Sequence, residues 1–272
     1  MKVFSVHRGD GPIVLGQPHG GTHVPDDIAA RLNDVGRGLA DTDWHINRLY
    51  DGLLDDVTVV QSHVHRYVID ANRDPAGGSL YHGQNTTTLV PLTDFDGQPI
   101  WKVGQEPSDD EVEDRRQTFH APYHAALRDE LDRVQSKYGV AILFDCHSIR
   151  SLIPFLFDGE LPVFNTGTNG GQTCDPAIEQ AVHDTASRAD GFTSVLNGRF
   201  RGGWTTRHYG RPTEGVHAIQ MEIAQRAYMD ESPPWGWRAD RAAQLRPHLK
   251  TMLTRLNDLA LSGALTAQGA QK

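Results

Sequence analysis

An α/β fold, with a mostly parallel or mixed central sheet and helices on both of its faces, is what the order of apolar patterns in this chain predicts. Three observations carry the prediction. Short runs rich in Val and Ile, as buried parallel strands tend to be, recur along the sequence. Stretches with apolar residues every three or four positions separate them. No internal repeat, low-complexity tract or Pro/Ser-rich linker divides the 272 residues, so a single domain with its core at about 10–255 is expected.

Taken in order, strands are predicted near 12–18, 57–60, 64–70, 140–145, 161–165 and 216–222. Over 43–55, Ile46, Leu49, Tyr50, Leu53 and Leu54 form one apolar stripe, with Asp41 or Thr42 placed to cap the helix. Over 109–138, Val112, Phe119, Tyr123, Leu127, Leu131, Val134 and Tyr138 make a longer pattern that Pro122 should kink or split. Further helices are predicted near 174–187 and 238–261. Two Gly-rich polar stretches, 74–107 and 196–215, exceed the usual length of connections. The first holds Tyr81, Thr86, Thr87, Thr88, Phe95 and Trp101; the second gathers Arg199, Arg201, Arg207, His208 and Arg211 among glycines. Both read as ordered walls of a site.

Composition narrows the class. A formal charge of -9 argues against nucleic acid and anionic membrane as partners, since both need a basic patch. Cys146 and Cys174 are too few for a disulfide framework and lack Cys-x-x-Cys zinc spacing. The chain opens Met1-Lys-Val-Phe-Ser-Val, without the basic region and apolar stretch of a secretion signal, and no run approaches membrane-spanning length. A soluble cytoplasmic protein is expected. An oligomeric state is not legible in the sequence.

Open α/β sheets bind ligands beyond the carboxyl ends of their strands. His19 follows the run 12–16, Arg73 follows 64–69, His147 follows 140–144 and Glu222 follows 216–221, so four reactive groups distant in sequence are expected to meet there. Cleaving an amide near neutrality calls for a polarised carbonyl and an activated water, both of which zinc with three protein ligands supplies. His19 leaves its strand through Gly20 and Gly21, and His147 follows Asp145, a partner for its far nitrogen. Asp43 or Asp41 is available as a carboxylate ligand. The His-Glu-x-x-His signature is absent, so such a site must be assembled from separate segments.

Plainer readings stand beside each candidate. Asp43 would serve as a surface or helix-start acid, and Arg73 as a salt-bridge partner of Asp70. His45, His63, His65, His120, His124, His183 and His248 are taken as bystanders, with His23 as a reserve ligand. Cys146 is read as a small strand residue, and Ser148 lacks a nucleophile-elbow context. Glu222 resists dismissal, because an acid in the apolar run 216–221 is costly unless paired or functional.

Seven motifs then fall in one order: Gln17-Pro-His-Gly-Gly-Thr, Thr42-Asp-Trp-His-Ile-Asn-Arg-Leu-Tyr50, Val68-Ile-Asp-Ala-Asn-Arg-Asp74, Leu80-Tyr-His-Gly-Gln-Asn-Thr-Thr87, Ala121-Pro-Tyr-His124, Asp145-Cys-His-Ser-Ile149 and Ile219-Gln-Met-Glu-Ile223. Together they resemble the N-formylglutamate amidohydrolase family over nearly the whole chain. The resemblance implies hydrolysis of N-formyl-L-glutamate to L-glutamate and formate in histidine degradation. Its more distant likeness to zinc carboxypeptidases and aspartoacylases implies a mixed sheet with one Zn2+ at the strand ends. It further implies His19 and His147 as first and last ligands, Glu222 as general base, and Asn72-Arg73 as the grip on a substrate carboxylate. A carboxypeptidase-type pattern would put an acidic ligand at position 22, where this chain has Thr22; Asp43 is the choice instead, with Asp41 and His23 as alternatives. Cobalt, manganese or iron would also suit such a site.

The implied substrate is a small dianion, so a second arginine, Arg201 or Arg207, is expected beside Arg73, because a guanidinium fork matches a carboxylate. A local cationic pocket reconciles that substrate with the acidic chain, since salt screens remote charges over roughly 8–10 Å. Two rivals share the residues: another zinc-dependent deacylase or carboxypeptidase acting on a different N-acyl amino acid, and a metal-free binding protein for acidic amino acids.

Overall fold

The computed structural model describes residues 2–78, 83 and 85–265; Leu80, Tyr81, His82 and Gln84 of the fourth motif lie outside the described residues. Seven strands, β1 (Phe4–His7), β2 (Ile13–Gln17), β3 (Thr58–Ser62), β4 (Ala141–Ile149), β5 (Phe164–Gly167), β6 (Ser194–Leu196) and β7 (Val216–Ala224), form one mixed sheet in the order β1-β3-β2-β4-β7-β5-β6. The four central strands β3, β2, β4 and β7 are mutually parallel, whereas β1 and β5 run antiparallel to their inner neighbours. From β2 the chain goes to β3 on one side and returns to β4 on the other. The carboxyl ends of β2 and β4 therefore flank a topological switch point, where a ligand crevice is expected.

Helices α1 (Asp26–Ala29), α2 (Asp34–Arg37), α3 (Ile46–Tyr50), α4 (Asp109–Arg115), α5 (Ala121–Tyr138), α6 (Pro176–Ser187), α7 (Trp204–Tyr209) and α8 (Ala239–Leu261) complete the regular structure. Strand alternation divides the core. Ile142, Phe144 and Cys146 of β4, with Ile219, Met221 and Ile223 of β7, pack with Leu49 of α3, Ile178 of α6 and Leu249 of α8. On the other face, Ala141, Leu143 and Ala218 pack with Tyr123, Leu127 and Leu131 of α5. Helices thus cover both faces, as the sequence predicts. Among the described residues no helix is long and apolar enough to cross a membrane.

Several elements differ from expectation. The segment 64–70 is a turn held by Val68 N–H donating to the His65 carbonyl and Arg73 N–H to that of Asp70; only a single bridge, His23 to Val64, is strand-like. A regular strand would send Arg66 and His65 to opposite faces, but the turn brings Arg66 within 3.8 Å of Asp70. The predicted helix over 43–55 is confined to α3, because His45 is left-handed at φ 61° before it and Gly52 at φ 65° after it. Neither Asp41 nor Thr42 caps it: the Thr42 hydroxyl donates to the Leu39 carbonyl, and Asp41 accepts from Tyr67 and the Phe95 N–H. The pattern over 109–138 is interrupted by a π-helical turn, Arg116–His120, immediately before Pro122 in the first turn of α5. Strands β4 and β7 run past their predicted ends, so His147 and Glu222 stand within strands rather than after them.

Candidate active site

Each of β4 and β7 has nine residues, and the third from the end is His147 in one and Glu222 in the other; these two are register partners, as are Asp145 and Gln220. Since the alternate residues of both strands fill the core under α8, these four polar side chains share the opposite face. His19 arrives from the neighbouring strand end, two residues beyond β2. There the exit runs hard against the 63–65 segment; a Cβ on Gly21 would lie 2.3 Å from the His63 carbonyl carbon. Asp43 is brought in by its own N–H, which donates to the His19 carbonyl.

His19, Asp43 and His147 are buried together, with one ligand atom from each within 4.8 Å of the others. The two imidazoles meet through their Nδ1 atoms at 3.2 Å. Asp43 Oδ2 lies 3.5 Å from Nδ1 of His147 and 4.0 Å from that of His19. At the far nitrogens stand two more acids: Asp70 Oδ1 is 2.7 Å from His19 Nε2, and Asp145 Oδ1 is 3.0 Å from His147 Nε2. A carboxylate at Nε2 draws the ring proton outward and leaves the Nδ1 lone pair facing in. Two inward lone pairs at this separation repel unless a positive charge sits between them, so the donor set fits a metal ion.

The electrostatics call for a positive charge at this point, which a proton on His147 supplies when no ion does. Burial lowers the His19 pKa to about 4, and Arg66 pushes in the same direction. Burial also opposes charge on His147, but Asp145, Asp43 and Glu222 outweigh it and hold that imidazole well above its ordinary value. Burial would raise Asp70, yet His19, Arg73 and Arg66 keep it well below the usual carboxylate range. For Asp43, burial is likewise outweighed by Arg66 and the two imidazoles, and its pKa is lowered. Burial raises Glu222 to about 7. With Glu222 ionised and both imidazoles neutral, as metal ligands must be, four acids (Asp43, Asp70, Asp145, Glu222) face two guanidiniums (Arg66, Arg73), an excess of two negative charges that one divalent cation balances.

The remaining sequence candidates are placed as follows. Asn72 and Arg73 line the cavity above the trio, together with Arg66, Arg199, Gln220 and Glu222. Arg73 donates from Nε and Nη2 to the carbonyl and hydroxyl of Thr87, and its Nη1 is 3.9 Å from Asp70 Oδ2, so the salt-bridge reading and the cavity position both hold. Asn72 accepts the Thr205 N–H at Oδ1. Arg201 and Arg207 are not among the lining residues; Arg207 Nε donates to the Gly202 carbonyl at 2.8 Å. Asp41 and His23 stand outside the ligand trio. Gln220 donates to Glu222 Oε2 at 3.0 Å while its own oxygen takes the Gly203 N–H at 2.6 Å, which fixes the amide's orientation.

Arg66 and the second role of Asp70 are absent from the sequence reading. Arg66 Nη2 donates to Asp43 Oδ1 at 3.0 Å, while the Ser148 N–H holds Asp43 Oδ2 at 2.9 Å. The signal was there: His65, Arg66 and Asp70 interrupt a run assigned as a buried strand, and buried charge demands partners.

Comparisons with known proteins agree with one another. A profile of the family described as N-formylglutamate amidohydrolase matches residues 11–229. An N-formylglutamate deformylase of Pseudomonas putida is 44% identical over 256 residues, covering 94% of this chain and 96% of that protein. Another, from Pseudomonas aeruginosa, is 43% identical over 256 residues with the same coverage. In fold, the chain resembles the crystal structure of an N-formylglutamate amidohydrolase from Ralstonia eutropha JMP134, with a TM-score of 0.80 at 24% identity, over 97% of this chain and 100% of that one.

Proposed function

Since the chain belongs to the N-formylglutamate amidohydrolase family, we propose how its own residues carry out the reaction that its deformylase relatives are named for. That reaction is hydrolysis of N-formyl-L-glutamate to L-glutamate and formate. The observation that supports the assignment of roles is the convergence of His19, Asp43 and His147 beside Glu222, in a cavity bordered by Arg73 and Arg199.

His19, Asp43 and His147 hold one divalent metal ion, and zinc suits the two-imidazole, one-carboxylate set. When bound, such an ion supplies Lewis acidity toward a carbonyl oxygen and lowers the pKa of water. Glu222 takes a proton from the attacking water and delivers it to the departing amine nitrogen as the C–N bond breaks. A carboxylate raised to about 7 by burial is suited to both halves of that transfer near neutrality. Gln220 restrains one oxygen of Glu222 and so aims the other. Asn72 and Arg73 take one substrate carboxylate, and Arg199 is placed to meet the other. Arg201, on the same loop, and Arg207, in α7, are the alternatives for that second contact. The setting of this reading is a single-domain, soluble, cytoplasmic enzyme of histidine degradation, with no nucleic-acid or membrane partner, consistent with the charge of -9.

Formate release from N-formyl-L-glutamate, compared with the acetyl analogue, tests the reading. Glu222→Gln is expected to retain metal and lose roughly 10²–10⁴-fold in kcat. A Glu222→Gln enzyme of wild-type activity would remove the proposed base.

A further inference from the structure

The short strap from Asp70 to Arg73 belongs to no strand or helix, yet it carries the substrate grip. All four of its carbonyls nevertheless have donors. Asp70 O accepts the Arg73 N–H and Asn72 O accepts from Arg73 Nη1, both from inside the strap. The other two donors come from elsewhere: His124 Nε2 lies 2.7 Å from Ala71 O, and His120 Nε2 lies 3.2 Å from Arg73 O.

These histidines are not placed by an ordinary helix. His120 closes the π-helical turn, and His124 follows one turn into α5, with their rings 4.3 Å apart. Such bulges are frequent at functional sites, because the extra residue rotates one side chain relative to the helix that follows. Trp204, from the first turn of α7, packs against both rings at 5.6 and 4.8 Å, and Tyr209 OH stands 3.1 Å from Nδ1 of His124. Both imidazoles are buried, and burial lowers both pKa values, so each is neutral with a single N–H to place. A carbonyl oxygen at Nε2 puts that hydrogen on Nε2.

We infer that His120 and His124 are positioning residues, holding the Asn72–Arg73 strap in the shape that lets its side chains receive a substrate carboxylate. The inference rests on the grip assigned above to Asn72 and Arg73. Neither histidine lines the cavity, so the effect reaches substrate through the strap alone. Removing the His124 donor leaves a buried carbonyl unsatisfied and frees the strap to move.

The test compares His124→Leu, His124→Gln and Arg73→Lys by steady-state formate release. His124→Leu is expected to raise KM about tenfold while kcat changes less than about threefold, the mark of lost uniform binding. His124→Gln keeps an N–H near the Nε2 position and is expected to return KM to within about threefold of wild type. A merely structural role would instead lower kcat through the folded fraction and leave KM in place. If Arg73→Lys raises KM and His124→Leu does not, the positioning role is overturned while the grip stands. If Arg73→Lys leaves KM unchanged, the grip fails and the inference fails with it. Should His124→Leu not fold, His120→Leu, which loses the hydrogen bond to the Arg73 carbonyl and keeps an apolar group against Trp204, is read in the same way.

Discussion

His19 and His147 present their Nδ1 atoms to each other across 3.2 Å, with Asp70 and Asp145 at the opposite edges of the two rings. Strands β2 and β4 are hydrogen-bonded neighbours, and His19 stands only two residues past the end of β2, so the sheet brings the two rings close. A prebuilt donor set on a rigid frame binds metal without first having to order its ligands.

Metal analysis of the purified protein is expected to find about one equivalent of divalent ion per chain, and chelation to abolish formate release that zinc restores. His147→Leu and Asp43→Asn should each lose the ion. Full activity in a protein shown to be metal-free would end this account.

Arg66 stands between two buried site acids, 3.0 Å from Asp43 and 3.8 Å from Asp70. Arg66→Met keeps an unbranched side chain in the buried space, gives up the guanidinium's stacking 4.9 Å over the Phe95 ring, and leaves both carboxylates short of a partner. Breaking a buried pair in this way costs about 3–5 kcal/mol, which urea unfolding of the metal-free protein measures. The loss should shrink when metal is bound, because the ion supplies part of the missing charge. A loss below about 1 kcal/mol would show that Arg66 carries little of the balance.

The sequence disclosed burial better than pairing. The central strands were legible because β2, β4 and β7 are buried on both faces and carry largely apolar runs ahead of their polar ends. Edge strands β1 and β6 are short and half exposed, so they left no such run. Periodicity failed at 64–70 because Val64, Tyr67, Val68 and Ile69 are as buried as strand residues while the backbone turns. His19, His147 and Glu222 stood out as polar groups at the edge of apolar runs. Asp43 and Asp41 were both open as the carboxylate ligand, and only the family resemblance chose Asp43, since an acid at a helix start has no distinguishing local pattern. Arg66 was hidden by the mistaken strand, and the service of His120 and His124 to a backbone 50 residues away has no local signature at all.

His65 makes a pH prediction. It is fully buried, accepts the Tyr67 N–H at Nδ1 and faces the Thr42 hydroxyl through Nε2, so it folds neutral. Burial, aided by Arg66, lowers its pKa to about 3. Below the unfolded value of 6.5 the unfolded chain binds a proton that the folded chain refuses, and stability falls as pH falls toward 3. Its share is about 1.4 kcal/mol per pH unit well inside that window and nothing above it. Urea midpoints of wild type and His65→Gln, measured between pH 7 and 4, should therefore draw together on acidification, the wild type losing more. Parallel curves would show that His65 does not titrate as its surroundings require.

Gly203 joins the proposed base, Glu222, to Asn72 of the proposed substrate grip, and its substitution separates site geometry from stability. Its N–H donates to Gln220, which holds Glu222, and the Thr205 N–H two residues on holds Asn72. The backbone there, at φ -76°, is open to any residue, so strain is not the issue. Space is: a Cβ would lie 2.2 Å from Asn72 Nδ2 and 2.6 Å from its Oδ1. The clash is with the end of a side chain, which swings away at small cost to the fold, but that side chain lines the cavity beside His147 and Glu222. Gly203→Ala is expected to leave Tm within a few degrees of wild type and to lower kcat/KM by about tenfold or more, roughly 1.4 kcal/mol. Because the damage runs through Asn72, Gly203→Ala and Asn72→Ala together should cost little more than Asn72→Ala alone, the non-additivity expected of groups in contact. Additive losses would place the effect of Gly203 on Gln220 and Glu222 instead, and a large fall in Tm would mean that the loop, not Asn72, had moved.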